Sequence, residues 1–386
     1  MKISLNVIKT SVYNGNLTYT INLLTALATC FPENRYQLLT QLNKKKEVAA
    51  SFTESSALQY RNILANEGML GKKAKLFLHS FNQTVTRLAA SRSDLYHASN
   101  PTDFPDGITN GVVTLHDLIA LHPEPWSSSE SIKFYHNNIK AILKQAKVVF
   151  TVSEFTKTDA IKHFPEFAHK YFPTPLAANP LFRKINISRD FLLRYGITDA
   201  EKPYLLYVGE IQPRKNIEGF LAAFDALPMT MQKELQIIIV GSAKRHENLR
   251  QFQNAVAAMK YPAKVIHLQN VPTEELIKLY NAAYAFIYLS HYEGFGLPVI
   301  EAMSCGCPVL TSNTTSLREV ASDAALTVNP DDKDAIVHAM TSIIDQSSVR
   351  DSLKEKGFLR AGCFSWEKTA EKTIAGYKEA IAMCIV

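Results

Sequence analysis

Two glutamates, Glu293 and Glu301, stand eight positions apart around the run Gly294-Phe295-Gly296-Leu297-Pro298. Carboxylates at such places hold hydroxyl groups. Two glycines followed by a proline at a helix start expose backbone N–H groups and the positive end of a helix dipole, which suit an anion. A nucleoside diphosphate sugar carries both kinds of group. A second candidate set is Arg214 and Lys215, in Gln212-Pro213-Arg214-Lys215-Asn216. The planar fork of arginine can bind two phosphate oxygens and the lysine acts as a point charge, so the pair can neutralise a diphosphate. A third candidate is His116, followed by Asp117, which could orient the imidazole or cap the next turn. Each has an ordinary reading beside it. A pair of glutamates at this spacing can be a helix cap and a solvated acid, an Arg-Lys pair a surface salt bridge, and a lone histidine a satisfied core residue.

The elements that must position these groups are short apolar strands. Ala285-Phe286-Ile287-Tyr288-Leu289 is continuous, aromatic and β-branched, as a strand buried on both faces should be, and it leads into Glu293. The helix after it should carry Glu301 in its first turn and end near Gly306. Tyr204 to Val208 leads to Arg214 and Lys215 in the same way, and Val112 to Leu115 leads to His116. In open α/β sheets ligands gather at the carboxyl ends of strands, which is where all three sets fall.

In chain order, a strand from Ile3 to Ile8 is followed by a polar loop at Thr10 to Asn16 and a helix from about Leu17 to Ala28. Residues 41–60 read as loop and helix with a basic run, Lys44-Lys45-Lys46. Residues 72–92 read as a basic amphipathic helix, with Leu76, Phe77, Phe81, Val85, Leu88 and Ala89 at helical spacing among Lys72, Lys73, Lys75, Arg87 and Arg92. That helix suits either an anionic membrane surface or a core-facing role with a solvated basic face. Ser153 caps a further helix, and Pro173, Pro175 and Pro180 mark an interdomain linker. The first domain is 1–176, and the second, 177–365, repeats the strand and loop pattern through Gly241-Ser242 and Gln269-Asn270-Val271-Pro272. Asp332-Lys333-Asp334 has the spacing of a metal-binding D-x-D, yet it opens a helix, and no metal site is expected there.

The 386 residues suit two domains, and 46% apolar with 20% charged residues describe an ordinary globular chain with no run long enough to cross a bilayer. Five cysteines, with Cys305 and Cys307 read as buried thiols, suggest a reducing, cytoplasmic setting. Residues 1–176 carry 19 Lys and Arg against 13 Asp and Glu, whereas 177–386 carry 23 of each, so the whole positive excess sits in the first domain. This favours an anionic acceptor or membrane surface for that domain, although solvated lysines give the same count, and it is too modest to suggest nucleic acid.

Glu293-Gly294-Phe295-Gly296-Leu297-Pro298-Val299-Ile300-Glu301 closely resembles the E-x7-E motif of the retaining glycosyltransferases of family 4, and further similarity covers nearly the whole chain. The resemblance implies the GT-B fold, two Rossmann-like doubly wound parallel-sheet domains facing a central cleft, with the last helix, 366–383, packed back on the first domain. It implies a hexose or deoxyhexose moved from a nucleoside diphosphate sugar, with retention and without metal or cofactor, to a saccharide or lipid-linked saccharide in surface polysaccharide assembly. It places His116 and Glu293 at the transferred sugar and Arg214 and Lys215 on the diphosphate. Glu301 falls on the ribose, the backbone of Gly294, Phe295, Gly296 and Leu297 on the phosphates, and Val271 near the base. Gly15 matches the first glycine of the family's nucleotide loop, but Leu17 stands where the second is usual. The wording Val-Thr-Leu-His-Asp and Gln-Pro-Arg-Lys-Asn is most similar to bacterial mannosyl or rhamnosyl transferases, which makes GDP-mannose the first guess for donor. Peripheral association with the inner face of the membrane through 72–92 is a further expectation. A non-catalytic nucleotide-sugar sensor of the same fold is the alternative. A dinucleotide-dependent oxidoreductase is disfavoured, because no G-x-G-x-x-G follows the first strand.

Overall fold

In the computed structural model, which describes residues 1–7, 15–41, 57–64, 72–124, 126–197, 199 and 201–385, the chain divides into two compact units. One is Met1–Leu176 with Ser365–Val386, and the other is Ala177–Phe364.

The first unit holds a seven-stranded parallel sheet in the order β3-β2-β1-β4-β5-β6-β7. Its strands are β1 Lys2–Val7, β2 Arg35–Gln41, β3 Leu58–Leu64, β4 Leu95–Ala98, β5 Gly111–Leu115, β6 Val149–Thr151 and β7 Tyr171–Pro173. Strands β4, β5 and β6 are buried at every position, as their continuous apolar sequences require. The helix Trp366–Ile385 belongs to this unit, where Thr369 Oγ1 donates to the Pro175 carbonyl at 2.5 Å and Lys147 Nζ to the Met383 carbonyl at 3.3 Å.

Three sequence expectations change here. The sequence does not signal strands β2 and β3: 35–41 mixes polar and apolar residues without the continuous run that marks a central strand, and 58–64 lies partly within the stretch that reads as loop and helix. Residues 42–56, with Lys44 to Lys46, and 8–14 of the first loop lie outside the described residues. The helix Lys72–Ser91 turns only part of the expected stripe inward, with Ala89 buried and Val85 packed against the core. Asn82, Thr86, Ala89 and Ala90 are buried at helical spacing, whereas Phe81 and Leu88 are 46% and 51% exposed. Small side chains let this helix lie close to the sheet, and the two large apolar ones point away from it.

The second unit holds a six-stranded parallel sheet in the order β10-β9-β8-β11-β12-β13. Its strands are β8 Tyr204–Val208, β9 Gln236–Val240, β10 Val265–Leu268, β11 Ala285–Tyr288, β12 Val309–Ser312 and β13 Leu326–Val328. In both sheets the first strand stands beside the fourth, β1 with β4 and β8 with β11. Strand order reverses at these places, and a doubly wound sheet opens a crevice there at its carboxyl edge. The ends of β8 and β9 fit by glycine alone: a Cβ on Gly241 would sit 1.9 Å from the Gly209 carbonyl oxygen. No helix among the described residues is long and apolar enough to cross a membrane.

Candidate active site

Arg214 and Lys215 stand on a short turn, Pro213–Lys215, in the loop after β8. Glu293 stands in the loop after β11, the strand beside β8 at the reversal point, so residues 78 positions apart arrive at one place. The loops are tied together by the Arg214 carbonyl, which accepts from the His291 N–H at 2.9 Å and from Ser290 Oγ at 3.2 Å.

Lys215 Nζ donates to Glu293 Oε1 and to the Tyr288 hydroxyl, both at 2.5 Å, and that hydroxyl donates to the same Oε1 at 2.9 Å. Arg214 Nη1 lies 3.0 Å from Oε1 and donates to the Tyr292 carbonyl. The side chains of Arg214, Lys215 and Glu293 are only 14%, 10% and 11% exposed. Burial would raise the Glu293 pKa, but Arg214 and Lys215 overcome it and hold the carboxyl at about 2. Burial pulls the Lys215 ammonium down to about 8 against the support of Glu293. Two cations thus meet one carboxylate in a site with little solvent, leaving one excess positive charge for an anion.

The Glu293 loop is gripped from the far side by the start of the helix Thr315–Ala321. The Glu293 N–H donates to Thr315 Oγ1 at 3.2 Å, and Ser316 Oγ donates to the carbonyls of Glu293 and Phe295 at 2.8 and 2.9 Å. Thr315 adopts φ 52°, a left-handed conformation that costs a β-branched residue energy and persists only where its surroundings impose it. Gly296 precedes the helix Leu297–Ser304 at φ 106°, with room for a hydrogen but no Cβ, which would meet Leu317 at 2.6 Å.

Glu301 is the fifth residue of that helix and not in its first turn as expected, because the helix begins only after the Gly294–Gly296 turn. It stands apart from the Glu293 cluster, accepts from the Tyr280 hydroxyl at 3.2 Å, and is pushed by burial up to about 7. Val271 follows β10 next to Asn270, whose φ is 54°. Gly15 is the first residue of the helix Gly15–Cys30.

In the first unit, His116 follows β5. Its Nε2 is 2.9 Å from the Ser99 carbonyl, which can only accept, so Nε2 carries the proton and Nδ1 of the neutral ring is an acceptor. Burial lowers its pKa to about 4, which keeps it neutral. Asp117 caps the next turn, accepting from the Ile119 N–H at 3.2 Å. Ser153 caps its helix, accepting from the Thr156 N–H at 2.9 Å, and Asp332 opens the helix Lys333–Asp345, accepting from Ala335 at 2.9 Å. Cys305 and Cys307 are buried thiols.

A sequence model described as Glycosyl transferases group 1 matches residues 193–360, a span that contains Arg214, Lys215, Glu293 and Glu301. The chain is 34% identical over 286 residues to O-antigen chain mannosyltransferase B of Escherichia coli, covering 74% of both proteins. It belongs to glycosyltransferase group 1. This glycosyltransferase is also 28% identical over 290 residues to the serotype-specific mannosyltransferase WbdA of Escherichia coli, and spans about a third, 35%, of that longer protein. Sucrose-phosphate synthase from Thermosynechococcus elongatus matches its fold with a TM-score of 0.77 at 21% identity, over 99% of each chain. Both parallel-sheet units are Rossmann-like, and the fold is GT-B.

Sequence reasoning thus brought together Arg214, Lys215 and Glu293, and missed what holds them. In the sequence Tyr288 is one residue of an apolar strand, and Tyr280, Ser290, Thr315 and Ser316 lie in no motif that points to the site. Tyr288 is the last residue of a strand otherwise Ala-Phe-Ile, so its hydroxyl was the one available signal.

Proposed function

We propose that this glycosyltransferase moves mannose from GDP-mannose to a saccharide or lipid-linked saccharide, with retention of anomeric configuration and without a metal ion, in bacterial O-antigen or related surface polysaccharide assembly. The observation that carries the sugar assignment is the 34% identity over 74% of both lengths to an O-antigen mannosyltransferase. The chemistry is supported by the cluster of Arg214, Lys215 and Glu293 at the β8/β11 reversal.

Negative charge grows on the departing diphosphate as the glycosidic bond breaks. Fixed cations in a site that excludes water stabilise that charge more than they stabilise the intact donor, and so lower the barrier. Arg214 and Lys215 are such cations, already oriented by Glu293, Tyr288 and the Tyr292 carbonyl. Glu293 holds hydroxyls of the mannose and Glu301 those of the ribose, and the Gly294–Leu297 backbone meets the phosphates. His116 accepts from a sugar hydroxyl at Nδ1. A carboxylate held at about 2 is a weak base, so Glu293 is poorly suited to take the acceptor proton. The departing phosphate oxygen takes it instead, on the face the leaving group vacates.

The exposed Phe81 and Leu88, with exposed Arg87 and Arg92 beside them, give the helix Lys72–Ser91 a face suited to anionic lipid, where a lipid-linked acceptor would reside.

The test is to incubate the purified protein with GDP-, UDP-, ADP- and dTDP-sugars, with and without a chelator, and to follow nucleotide release and the anomeric proton of the product. Release of GDP from GDP-mannose with an α product, unaffected by chelator, is expected. Turnover confined to another nucleotide, an inverted product, or turnover abolished by the chelator refutes the corresponding part of the proposal.

A further inference from the structure

The first unit contains a buried polar chain that the donor chemistry does not call for. His97 on β4 has Nδ1 2.7 Å from the Tyr377 hydroxyl and Nε2 2.7 Å from Thr114 Oγ1. Thr114 Oγ1 is in turn 2.9 Å from the Tyr19 hydroxyl. All four side chains are buried, and they come from β4, β5 and the helices Gly15–Cys30 and Trp366–Ile385. The chain ends at His116: the Tyr19 ring stands edge-on to its ring, with centroids 4.8 Å apart and planes at 86°. Thr114 and His116 are two apart near the end of β5, where alternate residues of an extended chain share a side.

Such an interior could have been filled by aliphatic residues. A buried imidazole must instead stay neutral and have both nitrogens partnered, and burial together with the nearby His116 holds His97 at about 3. One ring nitrogen then donates and the other accepts, so the two bonds of His97 run in one direction, and Thr114 Oγ1 completes the link to the Tyr19 hydroxyl as donor or acceptor. A fully satisfied network of this kind adds orientation, which an apolar filling would not.

We infer that Tyr377 and His97 are positioning residues for His116, acting through Thr114 and Tyr19. The inference rests on the reading of His116 as a sugar contact. With its hydroxyl tied to Thr114, the Tyr19 ring forms a fixed wall against His116, while the Ser99 carbonyl holds Nε2–H from another side. These two constraints leave the imidazole one orientation and one tautomer, with Nδ1 as the acceptor that the proposed sugar contact would use. The helix Trp366–Ile385 therefore contributes to the chemistry through Tyr377 without touching substrate.

The experiment combines isotope-edited imidazole spectra of the full chain with steady-state turnover of GDP-mannose, for the wild type, Tyr377→Phe and His97→Gln. His116→Gln identifies the His116 signals. Tyr171→Phe is the control, since it removes another buried phenol hydroxyl, one that bonds the Ala160 and Phe164 carbonyls at 3.4 and 3.3 Å. The wild type should show His116 as a single tautomer protonated at Nε2. Tyr377→Phe should broaden or split those signals and lower kcat about tenfold, a fraction of what a full ångström of misplacement costs, with the donor KM little changed. Tyr171→Phe should lower stability alone. If Tyr377→Phe leaves the His116 tautomer and kcat as in the wild type, the network is purely structural and the inference is overturned. Should Tyr377→Phe fail to fold, Tyr19→Phe tests the other end of the chain by the same readouts. If no form of the protein turns over GDP-mannose, the donor assignment fails, and the tautomer spectra alone decide this inference.

Discussion

Replacing Lys215 by methionine should damage stability and activity through different routes that a second substitution separates. Glu293 is held at about 2 by Arg214 and Lys215 despite its burial. A carboxyl lowered that far from its ordinary range contributes about 3 kcal/mol at neutral pH. The charge of Arg214 is the larger single cause of the lowering, but Lys215 supplies both a charge and a hydrogen bond at 2.5 Å, so Lys215→Met should remove a large share of this, about 2 kcal/mol. For a unit the size of Ala177–Phe364 that corresponds to a Tm lower by about 5 °C. Turnover should fall about 100- to 1,000-fold, the usual effect of removing one fixed group that stabilises a developing charge. In Lys215→Met/Glu293→Gln the carboxylate no longer lacks its partner, so most of the lost stability should return while activity stays low. Calorimetry and donor turnover on the four proteins of this cycle provide the comparison. If the double substitution is as unstable as the sum of the single ones, the buried ion pair has no energetic meaning and the site description is wrong.

Three further outcomes follow from the same structure. Burial raises Glu301 to about 7, so its folded pKa exceeds its unfolded one; the stability it contributes is present below about 4.5 and is lost as pH rises through 7. Glu301→Gln should therefore flatten the pH dependence of Tm between those values, and in the wild type donor affinity should rise as pH passes 7 and the ribose meets a carboxylate; titrations across that range check both. Ser316→Ala deprives the Glu293 and Phe295 carbonyls of a buried donor and should cost about 1–3 kcal/mol in urea unfolding, with a lower kcat from a loosened Glu293 loop. Phe81→Asp/Leu88→Asp, at positions already exposed, should leave Tm within about 1 °C yet reduce cosedimentation with anionic vesicles, and unchanged sedimentation would remove this helix from any membrane role.

The legible parts of the molecule were those where chemistry follows a continuous apolar strand. Tyr204–Val208 before Arg214, Val112–Leu115 before His116 and Ala285–Tyr288 before Glu293 each pair a clear strand with a polar group at its carboxyl end, so strand and group could be read together. Three other features depended on the fold. Strand β2, Arg35–Gln41, lies next to the edge strand and mixes polar with apolar residues, so it gives no continuous apolar signal. In the helix Lys72–Ser91, the buried set Asn82, Thr86, Ala89 and Ala90 shares only Ala89 with the apolar stripe, Val85 packs beside it, and the larger Phe81 and Leu88 stay exposed. The partners of the reacting groups come from distant segments: Tyr288 meets Lys215 across 73 residues, and Ser316 meets the Glu293 carbonyl across 23. No local pattern encodes such meetings, because they exist only once two strand ends are side by side.

The first unit is assembled from two stretches of sequence, with the whole of Ala177–Phe364 between them. Domains generally fold as they leave the ribosome, in the order they are made. Here the unit begun first must wait, with Tyr36, His97 and Phe150 on strands still lacking the Trp366–Ile385 helix, while the unit made second can close completely. His97 waits 280 residues for Tyr377. During synthesis the open first sheet is exposed to misassociation and to chaperones, and a chain that stops short of residue 365 would release a finished second unit joined to a permanently unfinished first.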